Sequence, residues 1–329
     1  MTGIRIPTGP LGSTGLTVSR IGLGLAALGR PAYINIGRQR DLGADRSVAE
    51  MEKRCHEMLD AAYAVGVRYV DAARSYGMAE NFLGTWLNRR NPSKDSITIG
   101  SKWGYTYVGS WRLDAPVHEV KDLSIETLQR QIAESRSAIG DRLQLYEIHS
   151  ATLESKVLDD VAVLRELLHL RSTGLVIGLT VTGPHQSDVI RRALRVSIDG
   201  VNPFQVVHAT WNLLERSAAD ALSEAKANGW GVIIKEALAN GRLTNRARGA
   251  HLAAIEREAA AHRTTVDALA LAAVLSQPWC DVVLSGAVTI EQLGSNLNAV
   301  PLAHELTDWP DLAESPADYW AERSALAWQ

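Results

Sequence analysis

The chain has 329 residues, of which 46% are hydrophobic, so it can bury the core of one barrel or of two smaller domains. Its 34 basic and 37 acidic residues leave a formal net charge of −3. This balance provides no basic surface for a nucleic acid or an anionic membrane, so we expect a small-molecule partner.

The cysteine content and the lengths of the apolar runs indicate in which cellular compartment we expect the protein. The two cysteines, Cys55 and Cys280, form neither a disulfide framework nor a zinc pattern, and we expect both thiols to pack as small apolar groups. Residues 1–7 contain no apolar core of signal-peptide length, and no run of about 18 apolar residues would span a bilayer. We therefore expect a cytoplasmic protein.

Strand and helix patterns alternate along the chain. Strands are predicted at residues 20–25, 69–71, 96–102, 143–148, 175–180, 203–208, 230–235 and 281–285. Helices are predicted at residues 48–65, 79–87, 124–139, 155–171, 185–196, 216–228, 249–262, 265–276 and 289–299. A hairpin is predicted within 10–18, long loops at 30–46 and 103–122, and an aromatic tail after residue 301.

Eight strands separated by helix-length segments predict a parallel sheet. Their near-uniform spacing favours a single (β/α)8 TIM barrel domain over residues 1–329, with an amino-terminal hairpin and a carboxyl-terminal tail. A doubly wound open sheet is the alternative fold. Its Gly-x-Gly-x-x-Gly turn between the first strand and the first helix is missing, which disfavours it.

Four polar side chains stand at or just after strand ends: Asp71, Tyr76, Lys102 and His149. In a parallel barrel such ends gather at one mouth. Tyrosine titrates near pH ~10, so it is an efficient acid at neutrality only when a nearby cation favours the phenolate. We expect Lys102 to supply that cation, with Asp71 holding it in place. His149 would then bond the substrate oxygen or share the proton.

This order of Asp, Tyr, Lys and His resembles the catalytic tetrad of the aldo-keto reductase family. Further similarity occurs at residues 14–20, 76–80 and 285–287, and the resemblance covers roughly residues 11 to 300. It implies a nicotinamide cofactor, NADP in preference to NAD, that lies extended across the barrel mouth without a Rossmann domain. It also implies reduction of an aldehyde or ketone to an alcohol, with hydride from the nicotinamide and a proton from Tyr76.

The resemblance also implies a set of cofactor contacts. They are Thr180, Gln205, Lys235, Leu238, Gly241, Ser285, Gly286, Gln292 and Asn296. Some positions depart from the family pattern. Val181 stands where the family has an amide for the nicotinamide carboxamide, and Lys235 stands where it has an aromatic that stacks on the ring. Gly286 and Gln292 occupy positions at which many members bind the NADP phosphate with basic residues.

The substrate pocket is expected to include Trp103, Tyr105 and Trp211, of which Trp211 is also a candidate support for the nicotinamide ring. No His-Glu-x-x-His pattern is present, so no metal site is predicted. Two other functions stay open. One is a Schiff-base lyase that uses Lys102 or Lys235, and the other is a non-catalytic NADP-binding subunit.

Overall fold

The computed structural model describes residues 5–246, 250–305 and 309–328. Residues 1–4 and residue 249, the first of the helix predicted over 249–262, lie outside these ranges. The strands are β1 (Thr8–Pro10), β2 (Thr17–Ser19), β3 (Ile21–Gly24), β4 (Tyr69–Asp71), β5 (Thr98–Trp103), β6 (Tyr105–Tyr107), β7 (Glu119–Lys121), β8 (Leu143–Ala151), β9 (Val176–Val181), β10 (Val206–Thr210), β11 (Gly231–Lys235) and β12 (Val282–Ser285).

Helices occupy most of the connections between these strands. They are α1 (Arg38–Leu42), α2 (Val48–Ala64), α3 (Ala79–Arg90), α4 (Ile125–Ile139), α5 (Val161–Ser172), α6 (Gln186–Leu194), α7 (Ala219–Ala227), α8 (Ala250–Ala261), α9 (Val266–Leu275), α10 (Ile290–Leu297), α11 (Ala299–Glu305) and α12 (Pro316–Ser324). The predicted start of α4 is confirmed, because the Ser124 hydroxyl accepts a hydrogen bond from the Thr127 amide at 3.3 Å.

Eight strands close a parallel barrel in the order β3, β4, β5, β8, β9, β10, β11 and β12. The last strand returns to the first, with Ser285 paired to Leu23. This closure confirms the TIM barrel and rules out the open sheet. The strands read as apolar runs because the helices cover their outer face and the core fills the inner one, as in β9, where every residue is buried.

The β1–β2 hairpin plugs the amino-terminal end of the barrel. Leu11 is fully buried there, and an added Cβ at Gly231 would lie 2.6 Å from its side chain. Gly12 has a φ of +53°, and a Cβ on it would lie 2.3 Å from the Gly231 backbone nitrogen. The carboxyl-terminal ends of the strands therefore form the open end, called the mouth below.

Three segments contain more structure than the sequence indicated. The predicted loop 30–46 includes α1, the loop 103–122 contains the antiparallel pair β6–β7, and the tail contains α11 and α12. Helix α1 has five residues and the two strands have three each, too short to show a clear period. Tyr319 and Trp320 of α12 are buried, which confirms that they pack against the barrel.

Both cysteines are free and buried, as expected, and burial raises the pKa of each thiol. Within residues 5–246, 250–305 and 309–328, no helix has the length and apolar content needed to cross a membrane.

Helices α3 and α4 pack closely at a glycine. A Cβ added to Gly84 would lie 2.0 Å from the Ala138 carbonyl oxygen, so the helices must move apart to accept it. We expect Gly84→Ala to lower the free energy of unfolding by about 1–3 kcal/mol, measured by urea denaturation. Gly9→Ala is the control, because no heavy atom lies within 4 Å of its added Cβ. Equal losses in the two variants would contradict this packing.

Candidate active site

The base of the mouth holds a buried ion pair between two neighbouring strands. The ammonium of Lys102, on β5, donates to Asp71 Oδ2 at 2.5 Å and to the Ala72 carbonyl at 2.9 Å. Lys102 and Asp71 are 1% and 2% exposed. Buried charges are stable only when paired and hydrogen-bonded, so these contacts hold the lysine side chain in place.

Tyr76 and His149 stand beside this pair. The Tyr76 ring centroid lies 5.0 Å from Lys102 Nζ, and the rings of Tyr76 and His149 meet edge to face at 5.6 Å. The Ser75 hydroxyl is 3.4 Å from His149 Nδ1. The structure thus brings together the four residues singled out in the sequence, because β4, β5 and β8 are adjacent in the barrel.

The protonation states of two of these residues follow from burial. Burial raises the pKa of the Tyr76 phenol well above its usual value, Asp71 adds to the shift, and the Arg30 guanidinium opposes it. A nearby cation is expected to lower this pKa, but burial outweighs that effect. Burial also lowers the pKa of His149 well below its usual value, helped by Lys102. At neutral pH the phenol is protonated and the imidazole is neutral.

Two further ionisable groups, Glu147 and His208, lie in the barrel near the ion pair. His208 Nδ1 is 3.4 Å from Glu147 Oε2 and 4.0 Å from Asp71 Oδ1. Burial raises the pKa of Glu147 to about 7 and lowers that of His208 to about 3, so the contact is a neutral hydrogen bond at or below neutral pH. Asp71, Glu147 and His208 resemble a metal-ligand set, but the Lys102 ammonium already bound to Asp71 repels a cation there.

A cavity of about 1200 Å³ runs across the mouth from the tetrad to the start of α10. Eight of the nine expected cofactor residues line it: Thr180, Lys235, Leu238, Gly241, Ser285, Gly286, Gln292 and Asn296. The far end is open at Gly286, where an added Cβ would meet no heavy atom within 4 Å. The amino terminus of α10, capped by Thr289, presents backbone N–H groups at the same end. An elongated cavity with this terminus fits a dinucleotide.

Gln205 does not reach the cavity. It precedes β10 at the amino-terminal end of the barrel, where its carbonyl accepts from the Gly231 amide at 2.9 Å. His208, three residues further along the strand, lines the cavity instead. Gln205 therefore lies at the opposite end of β10 from the mouth, although it is close in sequence to His208.

Two of the three expected substrate residues also point elsewhere. Trp103 is fully buried and does not line the cavity, and Trp211 packs edge to face on Trp279 at 5.5 Å. Tyr105 does line the cavity, with its ring centroid 5.0 Å from that of His149. Trp211 is thus in no position to carry the nicotinamide ring.

The tail forms one side of the cavity. Trp328 lines the cavity and stacks on His118 at 4.2 Å, and the Arg30 guanidinium lies 4.8 Å from the Trp328 ring centroid. Arg323 of α12 binds both carboxylate oxygens of Glu236, at 2.5 and 2.8 Å. Although burial raises the pKa of Glu236, Arg323 lowers it to about 2, so this anchor is charged at neutral pH.

A closed parallel barrel with these four polar side chains beside an elongated cavity is typical of a cofactor-dependent oxidoreductase of the TIM-barrel class. The model of the Aldo/keto reductase family matches residues 20–312, and the chain belongs to that family. Membership supports oxidoreductase activity on carbonyl groups with a nicotinamide cofactor.

Related proteins carry several activities. The chain is 26% identical over 325 residues to the NADH-specific methylglyoxal reductase of Escherichia coli (strain K12), covering 88% of this chain and 92% of the relative. It is 27% identical over 252 residues to a D-threo-aldose 1-dehydrogenase from Pseudomonas sp, covering 71% and 72%. An aldo-keto reductase from Bacillus halodurans in its holo form superposes with a TM-score of 0.69 at 21% identity, covering 98% and 97% of the two chains.

The raised pKa of Glu147 makes stability depend on pH. The unfolded carboxyl ionises near 4.5 and the folded one at about 7, so the native state loses stability as pH rises through this window. We expect the stability gained by Glu147→Gln to be larger at pH 8 than at pH 5, by up to about 3 kcal/mol. Thermal or urea unfolding at both pH values measures it. Exposed Glu57→Gln is the control, and a gain independent of pH would contradict the assignment.

Proposed function

We propose that this protein transfers a hydride between a nicotinamide cofactor and a small carbonyl or alcohol substrate, with Tyr76 as the proton donor to the carbonyl oxygen. The observation that carries the proposal is the buried Lys102–Asp71 pair beside a protonated phenol at one end of the elongated cavity. The bound cofactor would supply the hydride.

Each side chain has a role in moving the proton. As Tyr76 gives its proton to the substrate oxygen, negative charge develops on the phenol, and the ammonium of Lys102 stabilises it. Asp71 holds that ammonium in place. With the Ser75 hydroxyl donating to His149 Nδ1, the neutral imidazole carries its proton on Nε2 and donates to the same substrate oxygen.

We further propose NAD(H) as the cofactor, although the resemblance favoured NADP. Four acids line the far end of the cavity: Asp41, Glu256, Asp267 and Glu291. Arg246 lines it too, but it binds Asp41 through both carboxylate oxygens at 2.5 and 2.6 Å, and Arg40 is the other basic residue there. The acids outnumber the bases, and this excess of negative charge repels the extra phosphate of NADP. A carboxylate can instead accept a hydrogen bond from a ribose hydroxyl of NAD.

The alternatives fit the geometry less well. The Lys102 amine is held as an ammonium by Asp71 and the Ala72 carbonyl, which leaves no lone pair for a Schiff base. Lys235, whose pKa burial lowers to about 8, is the stronger nucleophile of the two. A lyase acting through Lys235 would not need the Tyr76 phenol, so one experiment separates the two functions.

We expect Tyr76→Phe to reduce NADH consumption with small aldehydes and ketones at least about 100-fold, because phenylalanine has no proton to give. Cofactor binding, measured by fluorescence quenching, should persist. Tyr63→Phe is the control, since its hydroxyl contacts Ser96, and neither residue lines the cavity. Equal rates in wild type and Tyr76→Phe would contradict the role of Tyr76. Borohydride trapping of a carbonyl compound on Lys235 would favour the lyase. Cofactor binding without turnover would favour the non-catalytic subunit.

Cofactor choice can be tested at Gly286, where a side chain has room. We expect Gly286→Lys to lower the KM for NADPH relative to that for NADH by about tenfold, because it places a cation where the extra phosphate would lie. Gly286→Gln is the matched neutral control. A wild-type preference for NADPH would contradict the choice of NAD(H), and an equal effect of both substitutions would contradict the charge argument.

A further inference from the structure

Two lysines face each other across the mouth. Strand β11, which ends at Lys235, lies four strands from β5 around the eight-stranded barrel, directly opposite Lys102. Both side chains line the cavity that holds Tyr76 and His149. A planar ring lying at this end of the cavity, within reach of Tyr76, therefore lies in the field of both ammonium groups.

The two lysines differ in how their charge is compensated. Lys102 binds a carboxylate, whereas Lys235 Nζ donates to a neutral hydroxyl, Thr210 Oγ1, at 3.1 Å. The nearest acid along the chain, Glu236, is bound to Arg323 through both oxygens. Among the described residues Lys235 thus forms no direct ion pair at the reacting end, and Glu236 and Asp71 act on its charge only from a distance.

That charge acts on the groups around the reaction centre. It contributes to the lowered pKa of His149 and His208 and opposes the rise in the pKa of Glu147. These three side chains lie on β10, which is next to β11, and on β8, three strands away, so the field of Lys235 extends across the interior of the barrel. A ligand whose own charge changes during the reaction must respond to the same field.

We propose that the Lys235 ammonium makes this site bind the reduced nicotinamide more tightly than the oxidised one. The inference rests on the proposed hydride transfer. Loss of a hydride with its two electrons turns the neutral dihydronicotinamide ring into a cation, while the carbonyl carbon gains the hydride and its oxygen gains the Tyr76 proton. A fixed cation disfavours the charged ring, so the equilibrium on the protein shifts toward reduced cofactor and carbonyl compound.

A lysine here has the opposite effect to an aromatic ring. An aromatic face attracts a cation and would stabilise the oxidised nicotinamide. Trp211, an aromatic on the adjacent connection, is turned away toward Trp279 and cannot supply that face. Lys235 therefore makes the site favour the reduced nicotinamide over the oxidised one.

The preference depends on pH. The charged and titratable groups that act on Lys235 or respond to it are Asp71, Lys102, Glu147, His149, His208, Glu236 and Arg323. Burial lowers the pKa of Lys235 to about 8, so its charge is present at pH 7 and largely lost at pH 9. Affinity for NAD⁺ should rise over this range while affinity for NADH changes little. Ionisation of Glu147 near pH 7 acts in the same direction, so the Glu147→Gln variant separates the two groups.

The test is the ratio of the Kd for NAD⁺ to the Kd for NADH, measured by fluorescence titration and calorimetry at pH 7 and pH 9. We expect Lys235→Met to lower this ratio about tenfold at pH 7 and to leave only the smaller pH dependence that Glu147 contributes. Lys235→Arg stays charged at pH 9, so it should keep a high ratio at both pH values. Glu147→Gln should keep the pH dependence that Lys235 causes.

An unchanged ratio of the two Kd values in Lys235→Met would overturn the proposal. If Lys235→Met does not fold, a ratio that is independent of pH in the wild type would overturn it instead. Failure of the wild type to bind either form would instead contradict the proposed function on which the inference rests. The binding readout does not depend on finding a substrate.

Discussion

The ion pair between Lys102 and Asp71 is the contact on which the rest of the mouth depends. It joins β4 to β5 where both side chains are buried, so removal of either partner would leave a buried charge at a cost of about 3–5 kcal/mol. The pair also fixes an ammonium 5.0 Å from the Tyr76 ring. A contact that stabilises the barrel thereby places the cation on which the proposed proton transfer relies.

Other charged side chains around the mouth also form ion pairs. Arg30 binds Glu119 at 2.8 Å, and Arg323 binds Glu236, so the β6–β7 hairpin and the tail are each fixed to the mouth by an ion pair. Lys235 is the exception, bonded to a hydroxyl. The Lys235 ammonium therefore contributes to the field that a ligand meets at the tetrad end of the cavity.

The barrel and the tetrad could be predicted because both follow from local patterns. Alternating strands and helices define a parallel barrel, and its geometry gathers the strand ends. The expectation for Gln205 failed because a three-residue error along the chain selects a residue that precedes β10, whereas His208 lies inside the strand and lines the cavity. Glu147, an acid inside an apolar strand, was a detectable signal. The Arg323–Glu236 pair joins residues 87 apart, which no local pattern reveals.

The position of Arg30 links the entrance of the cavity to its chemistry. The guanidinium lies 4.8 Å from the Trp328 ring centroid and 5.2 Å from that of Tyr76, and it lowers the pKa of the phenol. One cation therefore contacts both the tail and the Tyr76 phenol. A ligand that displaced Trp328 would change the surroundings of the guanidinium that lowers the Tyr76 pKa.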